Sequence, residues 1–200
     1  MRYPLWKRLF DVSGSAIVLA LSLPLWPIIA LAILLESRGP VLVRLDRVSE
    51  NRVVGVYKFR SMVKDAAELK PSLDHLNERK DGPLFKIKKD PRVTRVGRLL
   101  RRFRLDEVPQ LINVLRGELA LVGPRPREPE EAKAYPHQYR VILSHRQGVT
   151  GLSQVNGASS LPFQKELELD RYYVENRSFW LDLGIFFKTI AVLFFDPTAV

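Results

Sequence analysis

The longest apolar stretch of the chain runs from Val12 to Leu35 and contains no charged residue over 24 positions. As a straight α-helix it would be about 36 Å long, at ~1.5 Å per residue, which is enough to cross a bilayer. Pro24 and Pro27 lie in its middle. Because an interior proline removes a helical hydrogen bond, the pattern predicts a helix broken near Pro24, where the Ser22 hydroxyl could cap a freed carbonyl.

Three topologies remain open for this stretch. A signal peptide is favoured by the basic start and by the A-x-A-like sequence Ala30–Ala32, a plain transmembrane helix by the length, and a re-entrant hairpin by the prolines. Positive charges on both flanks favour the hairpin, because the positive-inside rule draws both ends to the cytoplasmic side. These cations are Arg2, Lys7, Arg8, Arg38, Arg44 and Arg47.

Shorter patterns follow the apolar stretch. Residues 41–48 and 52–59 are rich in β-branched side chains and predict two strands after a Gly39-Pro40 turn. Residues 64–83 are polar and predict a helix followed by a loop. The aromatic segment 178–195 predicts a core or interfacial helix. We therefore expect an α+β fold, in which a membrane segment at 1–38 precedes a small, mainly helical cytosolic domain with short strands and amphipathic interfacial helices at 39–200.

Residues 86–104 hold nine cations against one anion, Asp90. Within them, apolar residues with the spacing i, i+3, i+4 and i+7 predict a basic amphipathic helix, with Thr94 as its N-cap. Two interpretations stay open: a helix packed on the core with a solvated basic face, or a helix at a membrane surface near anionic headgroups or substrate. The apolar positions are Val96, Leu99, Leu100 and Phe103.

Composition narrows the chemistry. The 200 residues are 46% hydrophobic, which supports a real core, and the formal net charge of +10 points to anionic partners. The absence of cysteine excludes disulfides, zinc–thiolate sites and a cysteine nucleophile. The three histidines lack metal-ligand spacing, and neither common glycine-rich phosphate-binding loop occurs. Any phosphate chemistry must therefore use another design.

Two carboxylates stand side by side in the most basic part of the chain, at Asp106 and Glu107. Pro109 predicts a short helix that starts there and ends at Gly117, and it disfavours helical geometry at Val108. The pair would then lie just before a helix N-terminus, which stabilises anions. The pair could simply cap the helix and bind arginines, or one carboxylate could attack a phosphate.

An anion that attacks a diphosphate needs cations nearby, since two unit charges 4 Å apart repel by about 4 kcal/mol at an effective dielectric near 20. Pro124 and Pro126 restrict the backbone around Arg125, as a fixed phosphate clamp requires, although a rigid surface turn would show the same pattern. A divalent metal held by the two carboxylates would add positive charge. The candidate cations are Lys58, Arg60, Arg98, Arg101, Arg102, Arg104 and Arg125.

Four ordered segments resemble the bacterial sugar transferases, which are monotopic polyprenyl-phosphate phosphoglycosyl transferases, in their minimal form. They are "YKFRSM", the long segment from "GPLFKIKKDPRV" through "RLDEVPQLINVLRGELALVGPRP", "GVTGLSQVNG" and "LDRYYVENRSFWLDLGIFFKTI". The resemblance implies transfer of a phosphosugar from a UDP-sugar to undecaprenyl phosphate with release of UMP, through a covalent aspartyl intermediate and with Mg²⁺ (or Mn²⁺). It also implies a re-entrant helix at the cytoplasmic face of the bacterial inner membrane, in contact with phospholipid.

The resemblance assigns roles to residues of this chain. Asp106 matches the nucleophile, and Glu107 its partner in acid–base work or in holding the metal with Asp106. Positions near the phosphates match Lys58, Arg60, Arg101 and Arg125. The membrane break matches Ser22, Leu23 and Pro24.

Three departures from the family pattern stand out. Leu23-Pro24 replaces Ser-Pro at the membrane break, Gln147 replaces the proline of "PGITG", and Ala158 replaces an arginine. The last change weakens any assignment of nucleotide contacts within 146–160.

A different class of function is a membrane-anchored basic module that binds anionic lipid or nucleic acid without catalysis. The charge of +10 favours it, but the chain contains none of the sequence motifs typical of nucleic-acid readers. We therefore expect no nucleic-acid partner, while an oligomer remains open.

Overall fold

The N-terminal apolar stretch forms two helices joined by a tight turn. In the computed structural model, which describes residues 3–157 and 160–195, α1 (Leu5–Ser22) and α2 (Trp26–Glu36) flank a 3₁₀ turn at Leu23–Leu25. The α-helical pattern changes to 3₁₀ geometry around Pro24, but Leu5–Glu36 is one continuous helical segment, so a re-entrant bend there stays a prediction. Together, Leu5–Glu36 is long and apolar enough to cross a membrane, and only 6% of its most apolar window is buried.

The Ser22 hydroxyl donates to the Leu19 carbonyl at 2.9 Å and accepts from the Trp26 indole at 3.3 Å. The Leu19 carbonyl also accepts the backbone N–H of Leu23. Ser22 thus caps a carbonyl at the break, but that carbonyl is not one that a proline has left free.

The first half of α1 packs on the protein through a polar face. Lys7, Asp11 and Ser15, spaced four residues apart, are buried, whereas Leu5 and Leu9 are exposed. The Lys7 ammonium lies 2.7 Å from the Asp11 carboxylate. Lys7, one of the cations that flank the apolar stretch, is therefore enclosed by tertiary partners; Arg2 lies outside the described residues.

Other elements complete the enclosure of Lys7. Its ammonium lies 2.8 Å from the carboxylate of Asp182 on the C-terminal helix and donates to the Val122 carbonyl at 2.9 Å. The Asp11 carboxylate accepts the Leu121 backbone N–H at 3.0 Å. These contacts join α1 to two later segments of the chain.

Both predicted strands are present. β1 (Leu42–Ser49) and β2 (Arg52–Phe59) form an antiparallel hairpin, with Leu42 opposite Phe59. Glu50 and Asn51 have φ values of 51° and 58° at the turn, which is the backbone of a two-residue type I′ connection. A second, parallel pair joins β3 (Ala120–Val122) to β4 (Gly148–Thr150).

The predicted helix within 64–83 was wrong. This segment consists of turns and one 3₁₀ helix, Pro71–Leu76. Pro71 cannot donate a backbone hydrogen bond, and the Arg92 guanidinium takes the carbonyl of Ala66 at 3.1 Å. The missing donor at Pro71 and the occupied carbonyl of Ala66 both disfavour a continuous α-helix in this segment.

Seven-residue α4 (Gln110–Arg116) lies at the centre of the domain. Its Leu111 and Val114 pack in the main hydrophobic core with residues of β2, β3 and the last two helices. It ends at Gly117, whose φ of 79° needs glycine's freedom, as predicted. The remaining helices are α3 (Arg95–Arg102), α5 (Pro129–Lys133), α6 (Leu152–Val155), α7 (Phe163–Asn176) and α8 (Phe179–Phe195).

Helices α3 and α8 each divide their apolar residues between core and surface. In α3, the Thr94 hydroxyl caps the Gly97 N–H at 2.9 Å as predicted, and Leu100 is buried, but Leu99 and Phe103 are exposed. Fewer apolar residues of α3 therefore face the core than their spacing along the sequence predicts.

In α8, Ile185 is buried in the core while Trp180, Phe187 and Ile190 are exposed. The helix predicted over 178–195 thus has both a core face and an exposed apolar face.

Candidate active site

The carboxylate pair lies in a short 3₁₀ turn, Leu105–Glu107, that leads directly into α4. Arg104 starts this turn in the left-handed region, with φ 51°. The prediction of non-helical geometry at Val108 was wrong: its φ and ψ are −53° and −39°. Its N–H bonds to the Leu105 carbonyl at 3.2 Å, and this local hydrogen bond offsets the bias imposed by the following proline.

Strand β2 delivers Lys58 to the pair. The Lys58 ammonium lies 2.7 Å from an oxygen of Glu107 and 3.6 Å from an oxygen of Asp106. Asp106 is 5% exposed, so one carboxylate is almost enclosed beside an ammonium group and a second carboxylate. The structure therefore brings Lys58 next to two adjacent residues that lie 48 and 49 positions later in the sequence.

The environment shifts the pKa values of the two carboxylates in opposite directions. Burial raises the pKa of Asp106, and the neighbouring charge of Glu107 adds to this, while Lys58 and Arg101 act against it. Burial also acts to raise the pKa of Glu107, but the charges of Lys58, Arg125 and Arg104 outweigh it and lower that pKa to about 2. The shorter contact with Lys58 explains why Glu107 is the more acidic partner.

Two predicted phosphate-binding arginines act on this pair through their charge. Arg101 donates to the Ser61 hydroxyl at 3.0 Å and lowers the pKa of Asp106, whereas Arg125 lowers that of Glu107. Among the described residues, the half-buried guanidinium of Arg125 has no hydrogen bond or ion pair. Its charge is therefore available to an anion at the site.

Arg60 is placed elsewhere. Its buried guanidinium donates to the carbonyls of Ser37 and Arg38 at 2.5 and 3.0 Å, where it caps the C-terminal end of α2. None of these contacts is with the carboxylate pair. The role of Arg60 in phosphate binding stays a prediction, while its contacts here hold the membrane segment to β2.

A buried network supports the loop that carries Arg125, and the sequence analysis did not find it. The backbone N–H of Arg125 and the Ser153 hydroxyl both bond to the Asp170 carboxylate, the latter at 2.7 Å. Burial raises the pKa of Asp170 to about 6. Arg127 pairs with the buried carboxylate of Glu166, which lies on α7 as Asp170 does.

A sequence signal for this network exists. The buried face of α7 repeats at helical spacing, and two of its five positions are acidic. An acidic residue on an otherwise apolar helix face indicates a buried partner. The positions are Phe163, Glu166, Leu167, Asp170 and Tyr173.

The donor set limits what metal the site could bind. Within residues 3–157 and 160–195, no group of three or more His, Cys, Asp or Glu side chains could hold an ion. Asp106 and Glu107 offer two adjacent carboxylates, which fits Mg²⁺, since it is commonly held by one or two carboxylates with waters and substrate phosphates. The metal itself stays a prediction, as does Mn²⁺ in its place.

The departures from the family pattern have different outcomes. Gln147 is buried, and its side-chain amide donates to the carbonyls of Ile142 and His145 at 2.9 and 2.8 Å. It therefore has a structural role at the start of β4. Ala158 lies outside the described residues.

Comparison with known proteins identifies the family of the chain. The family model for bacterial sugar transferases matches residues 2–196. An undecaprenyl-phosphate glucose phosphotransferase of Komagataeibacter xylinus is 39% identical over 96% of this chain and 36% of its own length. An undecaprenyl-phosphate galactose phosphotransferase of Salmonella typhimurium is 37% identical over 94% of this chain and 40% of its own.

A shorter relative, the exopolysaccharide production protein ExoY of Rhizobium meliloti, is 36% identical over 92% of this chain and 83% of its own length. The chain thus spans about two fifths of the length of the first two relatives and most of the third. The match of the family model over nearly the whole sequence is decisive. The chain belongs to the bacterial sugar transferase family.

Proposed function

We propose that the protein is a phosphoglycosyl transferase, which moves a phosphosugar from a UDP-sugar to undecaprenyl phosphate, releases UMP and so initiates glycoconjugate synthesis. The observation that carries this proposal is the buried Asp106 carboxylate, with Lys58 and Glu107 against it. The names of two relatives, both undecaprenyl-phosphate sugar phosphotransferases, support the choice of acceptor.

The first half-reaction forms a covalent intermediate. An oxygen of the ionised Asp106 carboxylate bonds to the phosphorus that bears the sugar, and the bond from that phosphorus to the bridging oxygen breaks. UMP leaves with the bridging oxygen, and an aspartyl–phosphosugar remains on the protein. In the second half-reaction, an oxygen of undecaprenyl phosphate bonds to the same phosphorus and Asp106 leaves as a carboxylate.

Fixed cations make the approach of two anions feasible. The repulsion between Asp106 and one phosphate charge 4 Å away is about 4 kcal/mol at an effective dielectric near 20. Lys58, Arg101 and Arg125 each lower the pKa of at least one of the two carboxylates, so their positive charge reaches the site. The same charge would stabilise the diphosphate and the leaving UMP.

Glu107 is suited to a different task from Asp106. With a pKa of about 2 it stays ionised at neutral pH and holds Lys58 at 2.7 Å. When bound by the two carboxylates, Mg²⁺ (or Mn²⁺) would supply further positive charge to the diphosphate. Glu107 therefore orients Lys58. Because it stays charged, it is also the better candidate of the two carboxylates for a metal ligand.

The proposed acceptor is a membrane lipid, and the outward face of α1 and α2 is suited to such a membrane. Leu21, Ile28 and Leu35 are between 65% and 79% exposed in the broken helix. We place this segment as a re-entrant helix at the cytoplasmic face of the bacterial inner membrane, with phospholipid around it. The break at Leu23–Leu25 supports that arrangement.

Release of UMP tests the proposed reaction. Purified protein is incubated with a panel of UDP-sugars, Mg²⁺ and undecaprenyl phosphate. We expect UMP from at least one donor, and Asp106→Asn should reduce the rate by a factor on the order of 10⁴ or more, because the amide keeps the shape and loses the nucleophile. Asp74→Asn, at an exposed position in the Pro71–Leu76 turn, is the matched control and should retain wild-type turnover.

A further inference from the structure

A second positively charged site lies at the far end of α4 from the carboxylate pair. The 3₁₀ turn with Asp106 precedes α4, whereas Gly117 follows it and lines a cavity of about 790 Å³. None of the residues assigned above to catalysis lines this cavity. Its lining consists of Tyr3, Pro4, Leu5, Arg8, Arg116, Gly117 and Arg146.

Two guanidinium groups converge on one point in this cavity. A Cβ placed on Gly117 would lie 3.8 Å from a terminal nitrogen of Arg8 and 3.8 Å from one of Arg146. The Arg8 guanidinium donates to the carbonyls of Val114 and Leu115 at 2.6 and 2.7 Å, which are neutral acceptors. These bonds fix its direction without cancelling its charge.

Arg146 keeps part of its charge as well. The carboxylate it pairs with is that of Glu50, at 3.2 Å, and Glu50 also pairs with Arg52 at 3.1 Å. The Arg146 guanidinium stacks on the Tyr3 ring, 4.0 Å from its centroid. The guanidinium is thus held in place by an uncharged ring and by a carboxylate that it shares.

The third arginine of the cavity, Arg116, is also oriented by a neutral partner. It donates to the Tyr57 hydroxyl at 2.9 Å and lies 5.2 Å from that ring's centroid. Guanidinium groups match the geometry of phosphate oxygens, and groups that are already oriented lose less entropy on binding. The cavity therefore has the chemistry of a preformed phosphate site.

The surroundings indicate where that phosphate comes from. Leu5, at the start of the membrane helix, lines the cavity and is 75% exposed. Trp180 is 76% exposed, and Phe179 links it to Trp6 through ring contacts of 5.4 and 6.2 Å. Exposed tryptophan beside an apolar helix is typical of the membrane–water interface, where headgroup phosphates lie.

We propose that this cavity binds the phosphate group of an anionic phospholipid and so holds the entry of α1 at the membrane surface. The site is separate from Asp106 and does not depend on the transfer reaction. It adds a structural lipid to the lipid substrate of the proposed function.

The test counts bound lipid on the full chain. Protein purified in a neutral detergent is mixed with phosphatidylglycerol, and native mass spectrometry measures the fraction that retains lipid. The double variant Arg116→Gln/Arg146→Gln should retain about 25-fold less, since each arginine near a charged surface contributes about a factor of five. Lys165→Gln/Arg171→Gln removes the same charge from the exposed side of α7 and should behave as wild type.

Several results would overturn the proposal. Equal losses in both double variants would mean that net charge alone attracts the lipid, and no loss in either would exclude the cavity. Retention of zwitterionic phosphatidylcholine at the same level would contradict the anionic headgroup. Binding of inorganic phosphate without binding of phosphatidylglycerol would assign the site to a soluble anion. If the double variant melts well below wild type, Arg116→Gln alone, at an exposed position, should still lower retention severalfold.

Discussion

Asp106 and Glu107 are adjacent in the chain, yet their environments give them opposite tasks. Glu107 holds the ammonium of Lys58 at 2.7 Å and its pKa falls to about 2, whereas burial raises the pKa of Asp106. Pairs of carboxylates of which one stays ionised and the other is costly to ionise are common in active sites. Burial thus makes the Asp106 carboxylate costly to ionise.

Substitution of these two residues should shift stability in opposite directions at neutral pH. Ionised Asp106 destabilises the fold above its raised pKa, and this effect vanishes as the pH falls through that value, so Asp106→Asn should raise the melting temperature at pH 8 and less so in acid. Ionised Glu107 stabilises the fold above its unfolded pKa, and this contribution is lost as the pH falls towards 2. Glu107→Gln should cost roughly 3 kcal/mol at pH 7, at about 1.4 kcal/mol for each unit by which the pKa falls from 4.5 to about 2.

Thermal unfolding of both variants across a pH series measures these effects. Shifts of the same sign at pH 7 would contradict the assigned acidities.

At the scale of elements, the first half of α1 is a protein-packed helix with an inverted pattern. Its polar residues Lys7, Asp11 and Ser15 face inwards, and its apolar residues Leu5 and Leu9 face outwards, while Phe10 packs against the core. Lys7 connects α1 to α8 through Asp182 and to β3 through the Val122 carbonyl. These buried ion pairs therefore fix the first half of α1 against α8 and β3.

Removal of the Lys7 charge should destabilise the protein. Lys7→Met leaves two buried carboxylates, Asp11 and Asp182, without their shared cation, and breaking a buried pair of this kind costs about 3–5 kcal/mol. Chemical or thermal unfolding in detergent measures the loss. Lys133→Met, whose lysine is 72% exposed in a surface pair, is the control and should change stability by less than about 1 kcal/mol. Equal effects would contradict the anchoring role of Lys7.

The re-entrant topology has its own test, and the cysteine-free chain gives it a clean background. Single cysteines replace Arg2, before the apolar stretch, and Val53, which is 58% exposed on β2. Both should react with a membrane-impermeant thiol reagent only when it reaches the cytoplasmic side, because a re-entrant chain would enter and leave through one face. Labelling of the two positions from opposite sides would show a spanning helix.

Local signals predicted the elements that local chemistry controls. The two strands, the Thr94 cap, the change of helical geometry at Pro24 and the end of α4 at Gly117 all depend on residues within a few positions of each other. Val108 was mispredicted because one short hydrogen-bonded turn outweighs the bias of a following proline.

Contacts between distant residues were out of reach. Lys7 meets Asp182, and Arg127 meets Glu166, across 39 or more residues, while Arg60 turns to the carbonyls of Ser37 and Arg38. No pattern along the chain specifies which buried charge finds which partner. The structure brings Asp106, Glu107 and Lys58 together, as the resemblance to a family implied and spacing could not, while their roles in catalysis stay a prediction.

At the scale of the whole molecule, three features occur together in one chain of 200 residues. A carboxylate pair lies among cations, and an apolar helix exposes its side chains. Three arginines line a cavity at the start of that helix. The proposed reaction between a soluble nucleotide sugar and a lipid phosphate would use the first two, whereas the arginines would hold the protein at the membrane surface. The proposed function depends above all on a bond between Asp106 and phosphorus.

The mass of the protein after incubation with a UDP-sugar and Mg²⁺, in the absence of any lipid acceptor, tests that bond most directly. A donor that supports turnover should add the mass of one phosphosugar, located by peptide mapping to the peptide that contains Asp106, and Asp106→Asn should add none. An unmodified wild-type protein under conditions of proven turnover, or an Asp106→Asn variant that still turns over, would contradict the covalent mechanism.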